Sequence, residues 1–261
     1  GIIVYIVSGG AALQPRIAKV LGMAGMYNLE GYGLTETSPV IAVNNPASGE
    51  MKIGTVGPVL EGFEVKLAED GEILCKGPGV MMGYYKEPDL TAEVIDEEGW
   101  FHTGDIGVFD EGKFLKITDR KKEIFKLSGG KYIAPQMIEN KLKSSNFIEQ
   151  VMVIGANEKF ASALISPNFP LLHDWCAENK IHFRDNMELI QIPDVMAKIQ
   201  SEVNKINKTL GSHEQINRVR LVHEEWTPAS GELSPTLKLR RNVIASKYKN
   251  LIDDIYLAGR N

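Results

Sequence analysis

Tyr32-Gly-Leu-Thr-Glu-Thr-Ser-Pro39 is the stretch on which the reading of this chain turns. The residues before it, Tyr27 to Glu30, read as a short strand, so Gly31 to Pro39 forms a loop at a strand end. Glycine lets backbone approach a ligand closely, hydroxyls can bond phosphate oxygens, and a carboxylate can hold Mg²⁺. By residue type alone, two readings stay open: a ligand loop of that kind, or a polar surface connection.

Upstream, Gly1-Ile-Ile-Val-Tyr-Ile-Val7 is an apolar, β-rich run that reads as a buried strand. It has no charged leading region, so it is not a signal peptide. A buried strand needs neighbours on both sides, and the expectation is that further sequence lies upstream of it. Ser8-Gly9-Gly10-Ala11 then makes a turn into a helix from about Pro15 to Met23. Downstream the pattern changes to short strands. Phe63–Leu67 and Glu72–Lys76 flank Asp70-Gly71, a hairpin signal, and a second hairpin joins Ile106–Phe109 to Lys113–Thr118.

Charge clusters at Thr118-Asp-Arg-Lys-Lys-Glu123, and the architecture changes beyond it. Glu123–Leu127, Val151–Gly155 and Ala161–Ser166 read as strands. Pro135–Ser144, Asn168–Asn179, Asp194–Leu210 and Leu237–Leu251 read as amphipathic helices. This half resembles a self-contained α+β unit, which places a domain boundary at about Lys122.

Composition narrows the function classes. The 261 residues can form one large domain or two smaller ones. A net charge of −5, from 29 basic and 34 acidic residues without a basic block, argues against nucleic-acid binding. Arg120-Lys121-Lys122 is too short to count as such a block. Cys75 and Cys176 stand far apart in unlike contexts, which favours a reducing, cytoplasmic location over a disulfide framework. No apolar stretch is long enough to span a bilayer.

The Tyr32–Pro39 segment resembles the nucleotide loop of the adenylate-forming superfamily, which includes acyl-CoA synthetases, luciferases and peptide-synthetase adenylation domains. The resemblance implies that Tyr32 stacks near adenine, with Gly33 beside it, that Thr35 bonds the α-phosphate and that Glu36 binds Mg²⁺. Ser8-Gly-Gly-Ala11, by itself a tight turn, resembles the adenine-side loop and would lay Gly9, Gly10 and Ala11 along the nucleotide. Trp100-Phe-His-Thr-Gly-Asp-Ile-Gly107, by itself an aromatic-flanked turn entering a strand, carries Asp105 where the family aspartate holds both ribose hydroxyls. Arg120 matches an arginine that also contacts the ribose. His102 reads as a structural neighbour with no visible partner.

Lys122, by itself a solvated lysine, stands at the family's hinge, where a small C-terminal domain rotates between two half-reactions. Leu127-Ser-Gly-Gly-Lys-Tyr-Ile-Ala-Pro135 resembles the loop lining the pantetheine passage of CoA, through Ser128, Gly129 and Gly130; its rival reading is a flexible turn. Glu232-Leu-Ser-Pro-Thr-Leu-Lys-Leu-Arg-Arg241 resembles the terminal lysine motif, with Lys238 as the lysine that bridges carboxylate and nucleotide. Alone, Lys238 would be a helix-start lysine. Thr236-Leu237 replaces the Ser-Gly of many members and, with Glu30-Gly-Tyr-Gly, looks like the long-chain fatty acid–CoA ligase branch.

Together these resemblances imply an α/β (α+β) protein. Residues 1–121 would be the distal part of a large adenylating domain, and 122–261 a mobile α+β domain with the terminal lysine. The implied substrates are a fatty acid, ATP and CoA, with Mg²⁺ as cofactor and AMP as product. The family's Ser/Thr/Gly-rich phosphate loop is not found in this sequence, so the chain is expected to be inactive without the upstream part of the same enzyme. Peripheral membrane contact stays open because long-chain acids partition into bilayers, although no basic amphipathic helix supports it. Two rivals remain: a ligase for another carboxylic acid, and a non-catalytic nucleotide-binding fragment.

Overall fold

The structure, a computed structural model, describes residues 3–10, 13 and 15–257. It divides into two compact units, Gly1–Lys122 and Glu123–Asn261. In the first, β1 (Tyr5–Ser8), α1 (Pro15–Met23) and β2 (Tyr27–Gly33) make a strand–helix–strand crossover with the strands parallel and Ser8 opposite Glu30. β3 (Val40–Val43) returns antiparallel to β2 across the Leu34–Pro39 loop. β4 (Glu64–Leu67), β5 (Glu72–Lys76), β6 (Phe101–Asp110) and β7 (Phe114–Arg120) form an antiparallel sheet in that order, with the short helix α2 (Pro88–Val94) between β5 and β6.

Turn chemistry explains both hairpins. Gly71 has φ 83°, and the β6–β7 turn has Glu111 at φ 52° followed by Gly112 at φ 68°. Such backbone matches the twist of the paired strands. The core gathers Ile73, Cys75, Phe101 and Leu115 with Tyr32, Ile41 and Ala42. The opening run departs from expectation: Ile3, Val4, Tyr5 and Val7 are exposed. β1 is an edge strand with one strand neighbour, β2, and along it exposed Tyr5 and Val7 alternate with half-buried Ile6 and Ser8.

The second unit begins with the two-stranded hairpin β8 (Phe125–Lys126) and β9 (Tyr132–Ile133), then α3 (Pro135–Leu142). β10 (Ile148–Ile154) and β11 (Ser162–Pro167) pair antiparallel. Helices α4 (Phe169–Glu178), α5 (Asn186–Leu189) and α6 (Pro193–Asn207) follow, and β12 (Arg218–Leu221) joins β11 in parallel. α7 (Arg241–Lys247) and α8 (Lys249–Leu257) complete the unit.

Strand alternation makes this sheet a middle layer. Val151 and Val153 face Ile138, Leu142, Leu172 and Ile199, whereas Met152 faces Ile244, Tyr248 and Ile255. β11, covered on both sides, is buried along its whole length. In α6, Val195, Ile199 and Val203 recur at four-residue steps and all are buried, the stripe an amphipathic helix needs. Asn168 caps α4 by accepting from the Leu171 N–H at 3.2 Å.

One helix differs from the sequence reading. Leu237–Leu251 reads as a single helix, but the chain runs through a turn to Arg240 and only then forms α7 and α8. Leu237 has φ 60°, which no right-handed helix admits, and Leu233 bridges Leu239 as in a hairpin. Cys75 and Cys176 are both free and buried. Among the described residues no helix is long and apolar enough to cross a membrane.

Candidate functional site

Asp105 is the centre of the first unit's polar cluster. It lies inside β6, directly opposite Arg120 of β7, so both side chains leave the sheet on the same face. Arg120 Nε sits 2.9 Å from Oδ1, and the Tyr32 hydroxyl donates to Oδ2 at 2.8 Å. The Asp105 N–H donates to Thr103 Oγ1 at 3.1 Å, which in turn donates to the Ile73 carbonyl. The residue is 4% exposed, a buried carboxylate held by charge-assisted bonds. Thr103, Gly104, Arg120, Lys121 and Lys122 line a recess of about 380 Å³ beside it.

Tyr32 contributes its hydroxyl to the same cluster. Alternation along β2 turns its ring inward, to 8% exposure among apolar neighbours. Its hydroxyl, rather than an open ring face, is the polar handle, and it braces Asp105. Burial, and then the Asp105 charge, push its own ionisation up.

Glu72 braces the same strand from behind and was not legible in the sequence. It is buried and accepts from the Gly104 N–H at 3.0 Å and from Lys121 Nζ at 2.8 Å, with His102 Nδ1 at 3.1 Å. Lys121 also pairs with Asp70 at 2.8 Å. His102 thus has a partner after all, one brought from thirty residues upstream by sheet pairing. Its other nitrogen, Nε2, lies 3.7 Å from Asp96.

Burial pushes the Glu72 carboxyl up, but Lys121, His102 and the Gly104 N–H outweigh it and hold it below the ordinary glutamate value. A depressed native value stabilises the fold above the unfolded value and is lost as pH falls through the native one. The unfolding midpoint of the wild-type chain should therefore fall more steeply than that of Glu72→Gln below pH ~4.3. Parallel acid profiles for the two proteins would remove Glu72 from this role.

The Leu34–Pro39 loop presents the other motif residues. Thr35–Thr37 forms one 3₁₀ turn, closed by the Leu34 N–H to Pro39 carbonyl bond at 3.1 Å. The buried Thr37 hydroxyl accepts from the Leu34 N–H at 2.9 Å, which leaves Thr35 exposed at the tip. Glu36 accepts from the Tyr84 hydroxyl at 3.1 Å, and its carbonyl accepts from the Met81 N–H at 2.7 Å. Among the described residues no group of three or more His, Cys, Asp or Glu is gathered for a metal. A Mg²⁺ there would rest on Glu36 and nucleotide oxygens, an arrangement common for that ion. Gly9 and Gly10 follow β1, with Gly9 beside the Gly31 carbonyl. Gly10 has φ 78°, and Ala11 lies outside the described residues.

The remaining motif residues belong to the second unit. Ser128, Gly129 and Gly130 are exposed at the tip of the β8–β9 hairpin, with Gly130 at φ 87°. The Ser128 N–H donates to the Glu158 carbonyl at 2.9 Å. Lys238 is exposed at a turn, not at a helix start. The Ser234 N–H donates to the Lys238 carbonyl at 2.8 Å, and the Lys238 N–H to Ser234 Oγ at 3.1 Å. Lys122 likewise makes no side-chain bond among the described residues.

The AMP-binding enzyme family matches over residues 1–85, and its C-terminal domain over residues 122–259. The chain belongs to the AMP-binding enzyme family. Among curated relatives, long-chain-fatty-acid–CoA ligase FadD15 of Mycobacterium bovis is 38% identical over 251 residues, 96% of this chain. The chain spans 41% of that relative's length. Among solved structures of similar fold, the adenylation domain of a Mycobacterium chelonae carboxylate reductase has a TM-score of 0.74 at 25% identity, over 96% of this chain and 38% of its own. The A domain of a Segniliparus rugosus carboxylic acid reductase, solved with AMP and a co-purified carboxylic acid, has a TM-score of 0.72 at 22% identity, over 97% and 39%. These likenesses support the mixed α/β fold in both units.

Proposed function

We propose that this chain is the nucleotide-gripping and lysine-bearing part of an AMP-forming acid–thiol ligase whose acid is a long-chain fatty acid. The observation that carries the reading is Asp105, a buried carboxylate gripped by Tyr32 and by Arg120, which itself lines the neighbouring recess. An ionised, pre-oriented carboxylate is suited to accept two vicinal ribose hydroxyls. Arg120, 40% exposed at its side chain, engages Asp105 through Nε and would offer its remaining guanidinium donors to the same sugar.

The reaction has two steps. A carboxylate oxygen attacks the α-phosphorus of ATP and pyrophosphate leaves, giving an acyl-adenylate. The thiolate of CoA then attacks the acyl carbon and AMP leaves, giving the thioester. Thr35, exposed at its turn, would bond the α-phosphate, and Glu36 would hold the Mg²⁺ that neutralises phosphate charge. Lys238 would steady the negative charge that builds on the attacking and bridging oxygens. Ser128, Gly129 and Gly130 would leave room for the pantetheine arm, since an added Cβ on Gly129 meets nothing within 4 Å.

Adenylation is proposed for the protein that also supplies the length of the relatives this chain does not match. The chain alone is expected to bind AMP without releasing pyrophosphate. Fatty acid is favoured over other acids by the relatives at 38% identity. AMP at a hundred times its Kd should stabilise the native chain by about 2.7 kcal/mol, a rise read directly as Tm. Asp105→Asn should weaken AMP at least about tenfold while leaving a folded protein, since one charge-assisted bond is lost. An unchanged Tm with AMP, or an unchanged Kd in Asp105→Asn, would overturn the assignment of the ribose site.

A further inference from the structure

The junction of the two units is fixed on both sides of one residue. Lys121 is held in the first unit by Asp70 and Glu72, each at 2.8 Å. Glu123 is held in the second unit by Arg241 Nε at 2.7 Å and by Gln136 Nε2 at 2.9 Å. Lys122, between them, makes no such bond among the described residues, and the division of the chain falls immediately after it.

Arg241 does more than hold Glu123. Its Nη1 and Nη2 reach the two oxygens of buried Glu139 at 2.8 and 2.7 Å. Glu139 accepts in addition from the Val153 N–H at 2.7 Å, so the fork is tied into α3 and β10 together. Arg241 is also the first residue of α7, directly after the turn that carries Lys238. The Arg240 N–H donates to the Glu232 carbonyl at 2.8 Å, and the turn's other limb is pinned where Lys247 meets the Glu232 carboxylate at 2.7 Å.

We propose that Arg241 is a positioning residue, a rigid strut that ties the junction at Glu123 to the turn presenting Lys238. Backbone change at Lys122 then carries Lys238 with it as part of one body instead of being absorbed in between. A planar guanidinium suits this task because its fork engages two carboxylates at fixed angles, which an ammonium does not. The role given to Lys238 rests on the function proposed above; the strut itself does not.

Amide hydrogen exchange on the chain tests the strut without any catalysis. In Arg241→Gln the Ser234, Leu237 and Lys238 amides should exchange about tenfold faster, as loss of a half-buried charge-assisted anchor predicts, while α6 amides keep their protection. Arg241→Lys should recover only part of it. Glu123→Ala, which keeps the Arg241–Glu139 fork, is the milder variant should Arg241→Gln fail to fold. It should speed the same three amides about twofold to threefold. Turn amides unchanged in Glu123→Ala, or turn and α6 amides accelerated alike in Arg241→Gln, would overturn the proposal. A catalytic reading that fails in Lys238 variants would leave these exchange rates as they are, so the two failures are distinguishable.

Discussion

Lys238→Ala in the complete protein should slow acid-dependent ATP–pyrophosphate exchange by about 10²- to 10³-fold, the usual cost of removing one preorganised charge stabiliser. The residue is exposed, so the substitution should change stability by less than about 0.5 kcal/mol. Its backbone is nevertheless fixed, by the Ser234 hydroxyl on its N–H and the Ser234 N–H on its carbonyl. The preceding residue, Leu237, is held at φ 60°, a conformation that costs a leucine roughly 1–2 kcal/mol. Backbone strain next to a cation that makes no side-chain bond among the described residues is a pattern that accompanies functional geometry.

The same variant supplies its own control. On the proposed mechanism, thioester formation from preformed acyl-adenylate would not need the ammonium on the α-phosphate, so that step should keep most of its rate. Equal losses in both half-reactions would mean that the turn has a structural role only. Full exchange activity in Lys238→Ala would remove Lys238 from the chemistry. Lys238→Arg should be intermediate, since it keeps the charge but presents it on a broad fork.

What the sequence revealed and what it hid divide along a physical line. Hairpins were legible because Asp70-Gly71 and Glu111-Gly112 state their own backbone conformation. Helices with apolar residues at four-residue steps, such as α6, were legible for the same local reason. The Leu237–Leu251 region misled because its apolar spacing suits a helix, while bonds from Glu232 and Ser234 hold its start in a turn. β3 and β12 are four residues long and carry too short a pattern to read alone.

Among the proposed site residues, Asp105, Arg120, Thr35 and Glu36 were singled out by motif resemblance. The groups that brace the surrounding backbone were not. Glu72 meets Gly104 across thirty-two positions, and Arg241 meets Glu139 across 102. Nothing local marks either glutamate, because each is an ordinary charged residue until folding buries it beside its partner. The only local sign for Arg241 was its place at the end of the Glu232–Arg241 motif.

Gly33→Ala should destabilise the first unit by about 3 kcal/mol and remove AMP binding from whatever folds, because the added atom has nowhere to go. A Cβ on Gly33 would stand 1.7 Å from the Pro39 carbonyl oxygen, 2.5 Å from its carbon and 2.8 Å from Val40 Cα. All three are backbone atoms, so no rotamer change relieves the clash; β2 and β3 must part. Their separation would break the Leu34–Pro39 closure that shapes the Thr35–Glu36 turn. Gly22→Ala in α1 is the matched control, since its Cβ meets nothing within 4 Å. Alanine replaces glycine in a helix there and should raise stability by up to about 1 kcal/mol. Urea unfolding of both variants, with AMP titrated against each, separates the outcomes. A Gly33→Ala protein as stable as wild type would show that the loop does not depend on the close β2–β3 approach. One that is destabilised yet binds AMP normally would detach the Thr35–Glu36 turn from the nucleotide.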